Sequence, residues 1–185
     1  ANTDTVTGAL NSRGFADAVR KLMRTNVSRY CVVAMELKNY SQILQTFDAQ
    51  SCEQVLVHLY HTLKSRLSNT EPLARIYNGI FCFLLKNQEE SEIRNRLSRI
   101  QTAINQFNQT RQIPYRLELT FGIYIPKGVP QVPGQLQETA IALLRAQDAS
   151  DFHIYQGASE DTPARQWELI QQMDKSLKND DFQVY

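Results

Sequence analysis

Two short apolar runs joined by Asn78 and Gly79 constrain the fold more than any other feature of this sequence. Residues 73–77 and 80–85 are both mainly apolar, as expected of strands that face a core. Asn-Gly is the dipeptide that most strongly favours a two-residue hairpin, because both residue types tolerate positive φ angles. The sequence therefore predicts an antiparallel β-hairpin at this point.

Further strands and helices alternate around this hairpin. Apolar or alternating runs predict three more strands, at residues 30–37, 115–125 and 151–155. Apolar residues at helical spacing predict five helices: one that begins near Gly14, a long one from Ile43 to about Ser68, and three at residues 89–109, 136–147 and 163–178. This order predicts an α/β fold with a mixed, mostly antiparallel five-stranded sheet flanked by helices.

Charge and cysteine content exclude several functional classes. The formal net charge is +1 and no basic block occurs, so we expect no contact with nucleic acid or with a membrane surface. The three cysteines are odd in number and widely spaced, which argues against a disulfide framework and a zinc site. No apolar run approaches the roughly 20 residues that a membrane span needs. We therefore expect a cytoplasmic domain, although its parent protein can still be membrane-anchored.

The opening of the chain carries a specific family resemblance. Residues 4–15, DTVTGALNSRGF, resemble the phrase D-x-L-T-G-L-x-N-R-R-x-F that begins bacterial GGDEF domains. The similarity continues in order through MEL at residues 35–37, LARI at 73–76, LTFGI at 119–123 and ALLRAQ at 142–147. The resemblance implies a ferredoxin-like, nucleotidyl-cyclase-like topology. It also implies a degenerate GGDEF-like domain at residues 1–157, followed at 158–185 by a linker helix and the start of another domain.

Members of this family condense two GTP molecules to cyclic di-GMP, with each domain of a dimer presenting one GTP. That reaction needs carboxylates that hold Mg²⁺ against the triphosphate, donors that neutralise phosphate charge, and a tight glycine turn. The resemblance therefore implies Mg²⁺ as the cofactor of active members, and it leaves a homodimer open for this chain.

The signature turn of the family is altered in this sequence. G-G-D/E-E-F aligns with YNGIF at residues 77–81, so Gly79 stands where the family has its metal-binding acid and Ile80 where it has the next acid. An isoleucine cannot ligate a metal or move a proton. Asn78 and Gly79 preserve the turn, but the acids of this motif are absent.

A second family motif, D-x-D-x-F-K-x-x-N-D, is kept only in part. Its first Asp aligns with Glu36, so one carboxylate remains, whereas its second Asp aligns with Lys38, which repels a dication. Leu44 aligns with the guanine-reading Asn, and Glu53 aligns with the acid that also reads guanine. Loss of a polar partner at Leu44 should weaken guanine recognition.

The phosphate-binding positions are also changed. The family's Lys and Arg in A-L-Y-x-A-K-x-x-G-R align with Gln147 and Asp151, and Asp151 would repel a phosphate. The inhibitory product motif R-x-x-D aligns with residues 68–71 and lacks its Arg, so bidentate guanidinium recognition is missing there.

These changes lead to an expectation of a degenerate domain that is not an enzyme, with no catalytic residue, no metal site and no cofactor. We expect a regulatory or dimerisation role in cyclic di-GMP signalling. Two alternatives stay open: a GTP-binding sensor without cyclase activity, which rests on Glu36, Glu53 and the hairpin turn, and a protein-interaction module on the same scaffold.

Residues 167–185 are similar to the start of an EAL phosphodiesterase domain. The expected partner is therefore an adjacent domain of the same chain, which would give the parent protein phosphodiesterase activity.

Overall fold

Ten helices and strands make up the described part of the chain. The computed structural model describes residues 1–26, 29–110, 116–127, 132–146 and 152–157. The elements are α1 Ser12–Asn26, β1 Cys31–Leu37, α2 Tyr40–Thr46, α3 Ala49–Arg66, β2 Leu73–Tyr77, β3 Ile80–Leu85, α4 Glu90–Thr110, β4 Leu119–Ile125, α5 Pro133–Arg145 and β5 His153–Gln156.

The five strands form one sheet in the order β2-β3-β1-β4-β5. The pairs β2–β3, β3–β1 and β1–β4 are antiparallel, whereas β4–β5 is parallel. In the central strand, Ala34 lies opposite Cys82 on one side and Gly122 on the other. The predicted α/β class, with a mixed and mostly antiparallel five-stranded sheet, is confirmed.

Helices cover both faces of the sheet, so β1 is buried on both sides. One face carries Val33 and Met35 and packs against α3 and α4. The other face carries Val32 and Ala34 and packs against α1 and α5. This arrangement explains why the sequence of β1 is a nearly continuous apolar run.

Helix α5 lies directly against the sheet at Gly122. A Cβ atom at this position would lie 2.2 Å from the carbonyl oxygen of Ala140 and 2.4 Å from the backbone nitrogen of Leu144. No side chain fits in that space, so glycine allows the helix backbone to approach β4. The contact places the last turn of α5 over the same end of the sheet as Glu36.

The long helix predicted from Ile43 to Ser68 is in fact two helices. The chain leaves α2 at Phe47 and adopts an extended conformation at Asp48, which caps α3 by accepting a hydrogen bond from the Ser51 N–H at 2.7 Å. This N-cap supplies an acceptor for an otherwise unpaired helix N–H. The prediction was wrong because the apolar stripe continues across the break.

Two other helices begin earlier than predicted. Helix α1 begins at Ser12, where the Asn11 side chain accepts a hydrogen bond from the Gly14 N–H at 2.9 Å. Helix α5 begins at Pro133 and not at Leu136, since the fixed φ of proline suits the first turn of a helix. The prolines of this segment therefore do not all belong to the preceding loop.

Some expectations about the C-terminal part lie outside the described residues. They are the helix at residues 163–178 and the division of the chain after residue 157, which both stay predictions. Among the helices that the structure does describe, none combines the length and the apolar character that crossing a membrane requires.

Candidate functional site

The turn between β2 and β3 is held in a fixed position by its neighbours. Asn78 adopts a left-handed conformation with φ of 48°, which asparagine tolerates better than most residues. The carbonyl oxygen of Gly79 accepts a hydrogen bond from the Leu37 N–H at 2.9 Å. A Cβ atom at Gly79 would lie 3.0 Å from the Leu37 Cβ and 3.2 Å from the Tyr40 Cβ. Glycine therefore lets the turn pack tightly against the end of β1 and the start of α2.

Glu36 lies in a row of residues that crosses the sheet beside this turn. Tyr77 pairs with Ile80, Ile80 pairs with Glu36, and Glu36 pairs with Thr120. Directly opposed residues of an antiparallel pair project to the same face of the sheet. Because side chains alternate along a strand, Glu36 shares the face of Ala34, which is the face covered by α1 and α5.

Glu36 is half-buried, and its surroundings perturb its ionisation. Burial raises the pKa of this carboxyl group, and the positive charge of Arg145 lowers it in part, with a net shift upward. Within the described part of the chain, no group donates a hydrogen bond to the Glu36 carboxylate. A partly desolvated carboxylate with a perturbed pKa is a common feature of functional sites.

Arg145, the last residue of α5, reaches the hairpin across the face of the sheet that carries Glu36. Its Nη2 donates a hydrogen bond to the Tyr77 hydroxyl, and its Cζ lies 6.0 Å from the centroid of the Tyr77 ring. Both side chains are exposed, Tyr77 by 44%. We did not predict Arg145 as a site residue. The only signal in the sequence was its place within ALLRAQ, two residues before Gln147.

The opening motif of the chain supports the hairpin turn. One carboxylate oxygen of Asp4 accepts hydrogen bonds from the Thr7 N–H at 2.9 Å and the Thr7 hydroxyl at 2.7 Å. Its other oxygen accepts from Nη1 of Arg75 at 3.0 Å, and Nε of Arg75 donates to the carbonyl oxygen of Asn78 at 2.9 Å. Burial alone would raise the pKa of Asp4, but the Thr7 hydrogen bonds and the Arg75 charge outweigh it and lower the pKa.

The sequence-predicted positions fall into three groups. Five of them meet at one end of the sheet: Glu36, Lys38, Asn78, Gly79 and Ile80. Leu44, which is 45% exposed, and Glu53, which is also exposed, lie on α2 and α3. Gln147 and Asp151 lie outside the described residues.

Lys38 and Ile80 differ sharply in their exposure. Lys38 follows β1 and is exposed, and its backbone N–H donates to the carbonyl oxygen of Glu118 at 2.7 Å. Ile80 is 1% exposed and belongs to the core. The position that holds an acid in the family is thus filled by a packed aliphatic side chain.

The residues described near Glu36 retain one of the two carboxylates of the Mg²⁺ site that the family resemblance implies. The neighbours of Glu36 in the row, Ile80 and Thr120, contribute no carboxylate. Across the residues that the structure describes, no group of three or more His, Cys, Asp or Glu side chains is placed to hold a metal. Mg²⁺ is usually bound through one or two carboxylates together with phosphate oxygens. Glu36 is the one carboxylate in this row of the sheet. No chemical step is assigned to a metal ion here.

Glu71, at the acidic position of the inhibitory motif, has a structural role. Its side chain accepts hydrogen bonds from the Ser68 N–H at 2.9 Å, the Lys86 N–H at 2.7 Å and Nη2 of Arg96 at 2.9 Å. Nη1 of Arg96 also donates to it, which makes the ion pair bidentate. Burial raises the pKa of Glu71, but the Arg96 and backbone hydrogen bonds lower it further than burial raises it. These contacts join α4 to the loop before β2 and to the end of β3.

Comparison with known proteins agrees with the fold. The family model for the diguanylate cyclase GGDEF domain matches residues 1–151. The fold is similar to that of the GGDEF domain of DgcB from Caulobacter crescentus in complex with c-di-GMP, with a TM-score of 0.70, 16% identity, and coverage of 83% of this chain and 95% of that chain. A search of curated proteins found no match.

Two structures from Pseudomonas aeruginosa are also similar. Diguanylate cyclase SiaD in complex with its activator SiaC has a TM-score of 0.70 and 16% identity, with coverage of 84% of this chain and 62% of that chain. The FimX GGDEF domain has a TM-score of 0.64 and 14% identity, with coverage of 84% and 99%. At these identities the structural similarity establishes the fold alone.

The family match corrects one expectation from the sequence. We expected the chain not to be an enzyme, because Gly79 and Ile80 replace acids of the signature turn. The match over residues 1–151 is to a family of diguanylate cyclases, which points towards a cyclase and contradicts that expectation. Substitutions at a few site positions change local chemistry, whereas the five-stranded sheet and the β2–β3 hairpin are present. The chain therefore belongs to the diguanylate cyclase GGDEF-domain family.

Proposed function

We propose that this domain binds a guanine nucleotide beside Glu36 and the 78–79 turn, and that it acts in the cytoplasm as a regulatory domain of cyclic di-GMP signalling. One observation carries the proposal. Glu36 is a half-buried carboxylate next to a turn whose backbone is hydrogen-bonded to β1 and packed against the start of α2. A carboxylate that is partly desolvated and lacks a donor among the described residues is suited to accept hydrogen bonds from a ligand.

The charges around the turn support a nucleotide as the ligand. Lys38 and Arg145 place positive charge at the same end of the sheet as Glu36. Phosphate oxygens favour such cations, whereas the N–H groups of a guanine edge favour a carboxylate such as Glu36 or Glu53. Leu44 offers no hydrogen bond at the position where the family has Asn, so we expect the affinity for guanine to be reduced.

Thermal unfolding with added nucleotide tests this proposal. A ligand that binds only the folded state raises the melting temperature. At a ligand concentration of 100 times Kd, binding adds about 2.7 kcal/mol to the free energy of unfolding. We expect GTP to raise the melting temperature more than ATP does, and Glu36→Gln to reduce the GTP effect. Glu92→Gln is the matched control, since Glu92 is exposed on α4, on the opposite face of the sheet. If GTP and ATP shifted the melting temperature equally in the wild-type chain, in Glu36→Gln and in Glu92→Gln, the result would count against a guanine site.

Cyclase activity is a second candidate function, and the family match over residues 1–151 favours it. The direct test is to incubate the chain with GTP and either Mg²⁺ or Mn²⁺ and to analyse the products for cyclic di-GMP. We expect any turnover to depend on Glu36, because it is the carboxylate retained beside the turn. Turnover that is unchanged in Glu36→Gln would assign the activity to other residues.

We further propose that nucleotide binding is transmitted to an adjacent domain of the same chain, for which an EAL phosphodiesterase domain is the candidate. The support is the similarity of residues 167–185 to the start of such a domain. SiaD, one of the similar proteins, is in complex with its activator SiaC, so a protein that contains this fold has a protein partner. The sequence of the full-length protein after Tyr185 tests the point, since a following sequence without EAL character would remove this partner.

A further inference from the structure

The contact between Arg145 and Tyr77 joins helix α5 to strand β2, which is not one of the two strands on which α5 mainly packs. Helix α5 packs on β4 and β1, with its backbone against Gly122. Tyr77 is the last residue of β2, and β3 separates β2 from β1. The two side chains therefore meet above the strands between them, where Ile80 and Glu36 lie. The influence of the Arg145 charge on the pKa of Glu36 agrees with this position.

Tyr77 holds the Arg145 guanidinium in one orientation. The hydrogen bond to the Tyr77 hydroxyl uses one of the five N–H donors of the arginine, and the ring contact restricts the rest of the group. The Arg145 side chain remains exposed. A guanidinium that is restricted but accessible loses less conformational entropy when it binds an anion.

We propose that Arg145 is the phosphate-contacting residue of this site, and that Tyr77 positions it over Glu36 for that contact. The inference rests on the proposed nucleotide site and deepens it. A nucleotide beside Glu36 brings several negative charges close to a carboxylate, and the guanidinium between them offsets that repulsion. The planar fork of arginine can bind two phosphate oxygens at once. Arg145 thus supplies the positive charge that the aligned positions Gln147 and Asp151 lack.

The experiment compares four proteins: the wild-type chain, Arg145→Gln, Tyr77→Phe and the control Arg94→Gln. Arg94 is exposed on α4, on the face opposite to Glu36. Each protein is titrated calorimetrically with GTP and with guanosine, which lacks phosphates. Loss of a charge-assisted contact predicts a decrease of GTP affinity by about tenfold to a hundredfold in Arg145→Gln. We expect guanosine affinity to be unchanged, and Tyr77→Phe to give a smaller loss for GTP. Equal GTP affinity in wild type and Arg145→Gln would overturn the inference.

A second measurement separates this inference from the nucleotide proposal. The Nε–Hε resonance of Arg145 is assigned by its absence from Arg145→Gln and is followed while tripolyphosphate is added to the wild-type chain. A saturable shift of this resonance supports phosphate contact by Arg145 even if GTP gives no heat, in which case only the nucleotide proposal fails. No shift with either GTP or tripolyphosphate contradicts the role of Arg145. The melting temperatures of all four proteins establish that each is folded.

Discussion

Arg75 connects the start of the chain to the hairpin turn, with Nη1 donating to the Asp4 carboxylate at 3.0 Å and Nε donating to the Asn78 carbonyl at 2.9 Å. The Asp4 and Arg75 side chains are both largely buried. Asp4 of the opening motif and Arg75 together hold the hairpin turn in position.

Replacement of Arg75 should therefore destabilise the fold. We expect Arg75→Met to lower the free energy of unfolding by about 1–3 kcal/mol, because Asp4 would keep its burial but lose a charged partner. Urea unfolding measures this change. Arg20→Met is the control, since the Arg20–Asp17 pair is exposed and should contribute less than about 1 kcal/mol. Similar losses in the two variants would contradict a special role for Arg75.

The ionisation of Glu71 should make stability depend on pH in the acid range. Its pKa in the folded state lies below the ordinary value of 4.5, so its contribution is fully present above pH 4.5 and is lost as the pH falls through the folded pKa. We expect wild type to be more stable than Glu71→Gln at pH 7 and the difference to shrink as the pH falls from 4.5 through the lowered pKa of the folded state. Urea unfolding at several pH values measures it, and a difference that grows on acidification would contradict the assignment.

The ionisation of Glu36 should affect stability in the opposite direction to that of Glu71. Its pKa is raised in the folded state, so the ionised carboxylate opposes folding at neutral pH and ceases to do so when it is protonated. Glu36→Gln should stabilise the chain at pH 7 by up to about 1 kcal/mol after allowance for solvent screening. At pH 3 the gain should vanish, because Glu36 is then neutral in both states. A loss of stability at pH 7 would show that Glu36 makes favourable contacts in the folded domain.

The contact of α5 with the sheet predicts a large effect at Gly122. In Gly122→Ala the new Cβ would meet backbone atoms of Ala140 and Leu144, which cannot move aside without displacing the helix. We expect a loss of at least about 2 kcal/mol in the free energy of unfolding. Gly134→Ala is the matched control, since among the described residues no atom beyond the adjacent backbone of α5 lies within 4 Å of a Cβ there, and alanine favours helices. Comparable losses in both variants would contradict the close packing of α5 on β4.

The sheet and the hairpin were predictable because their signals are local. The Asn78-Gly79 dipeptide and the apolar runs on either side of it determine the turn and the two strands without reference to the rest of the chain. The break at Asp48 was less visible. The apolar stripe is continuous there, and the structure shows the break by the extended backbone at Asp48 and by the hydrogen bond that its side chain accepts from the Ser51 N–H.

The site was predictable only in part. Alignment to the family placed Glu36 beside the turn, but not the Tyr77–Arg145 contact, whose residues are 68 positions apart in the chain. That contact follows from the packing of α5 on the sheet at Gly122, which periodicity does not reveal. The same alignment led us to infer the absence of enzyme activity from missing acids, and family membership contradicts that inference.

The most direct test of the proposed function is a calorimetric titration of the chain with GTP, with ATP as the comparison. Guanine-nucleotide binding beside Glu36 predicts saturable heat at one GTP per chain, weaker binding of ATP, and a decrease of GTP affinity by about tenfold in Glu36→Gln. The absence of heat with GTP at millimolar concentration, from a protein that still melts cooperatively, would contradict it.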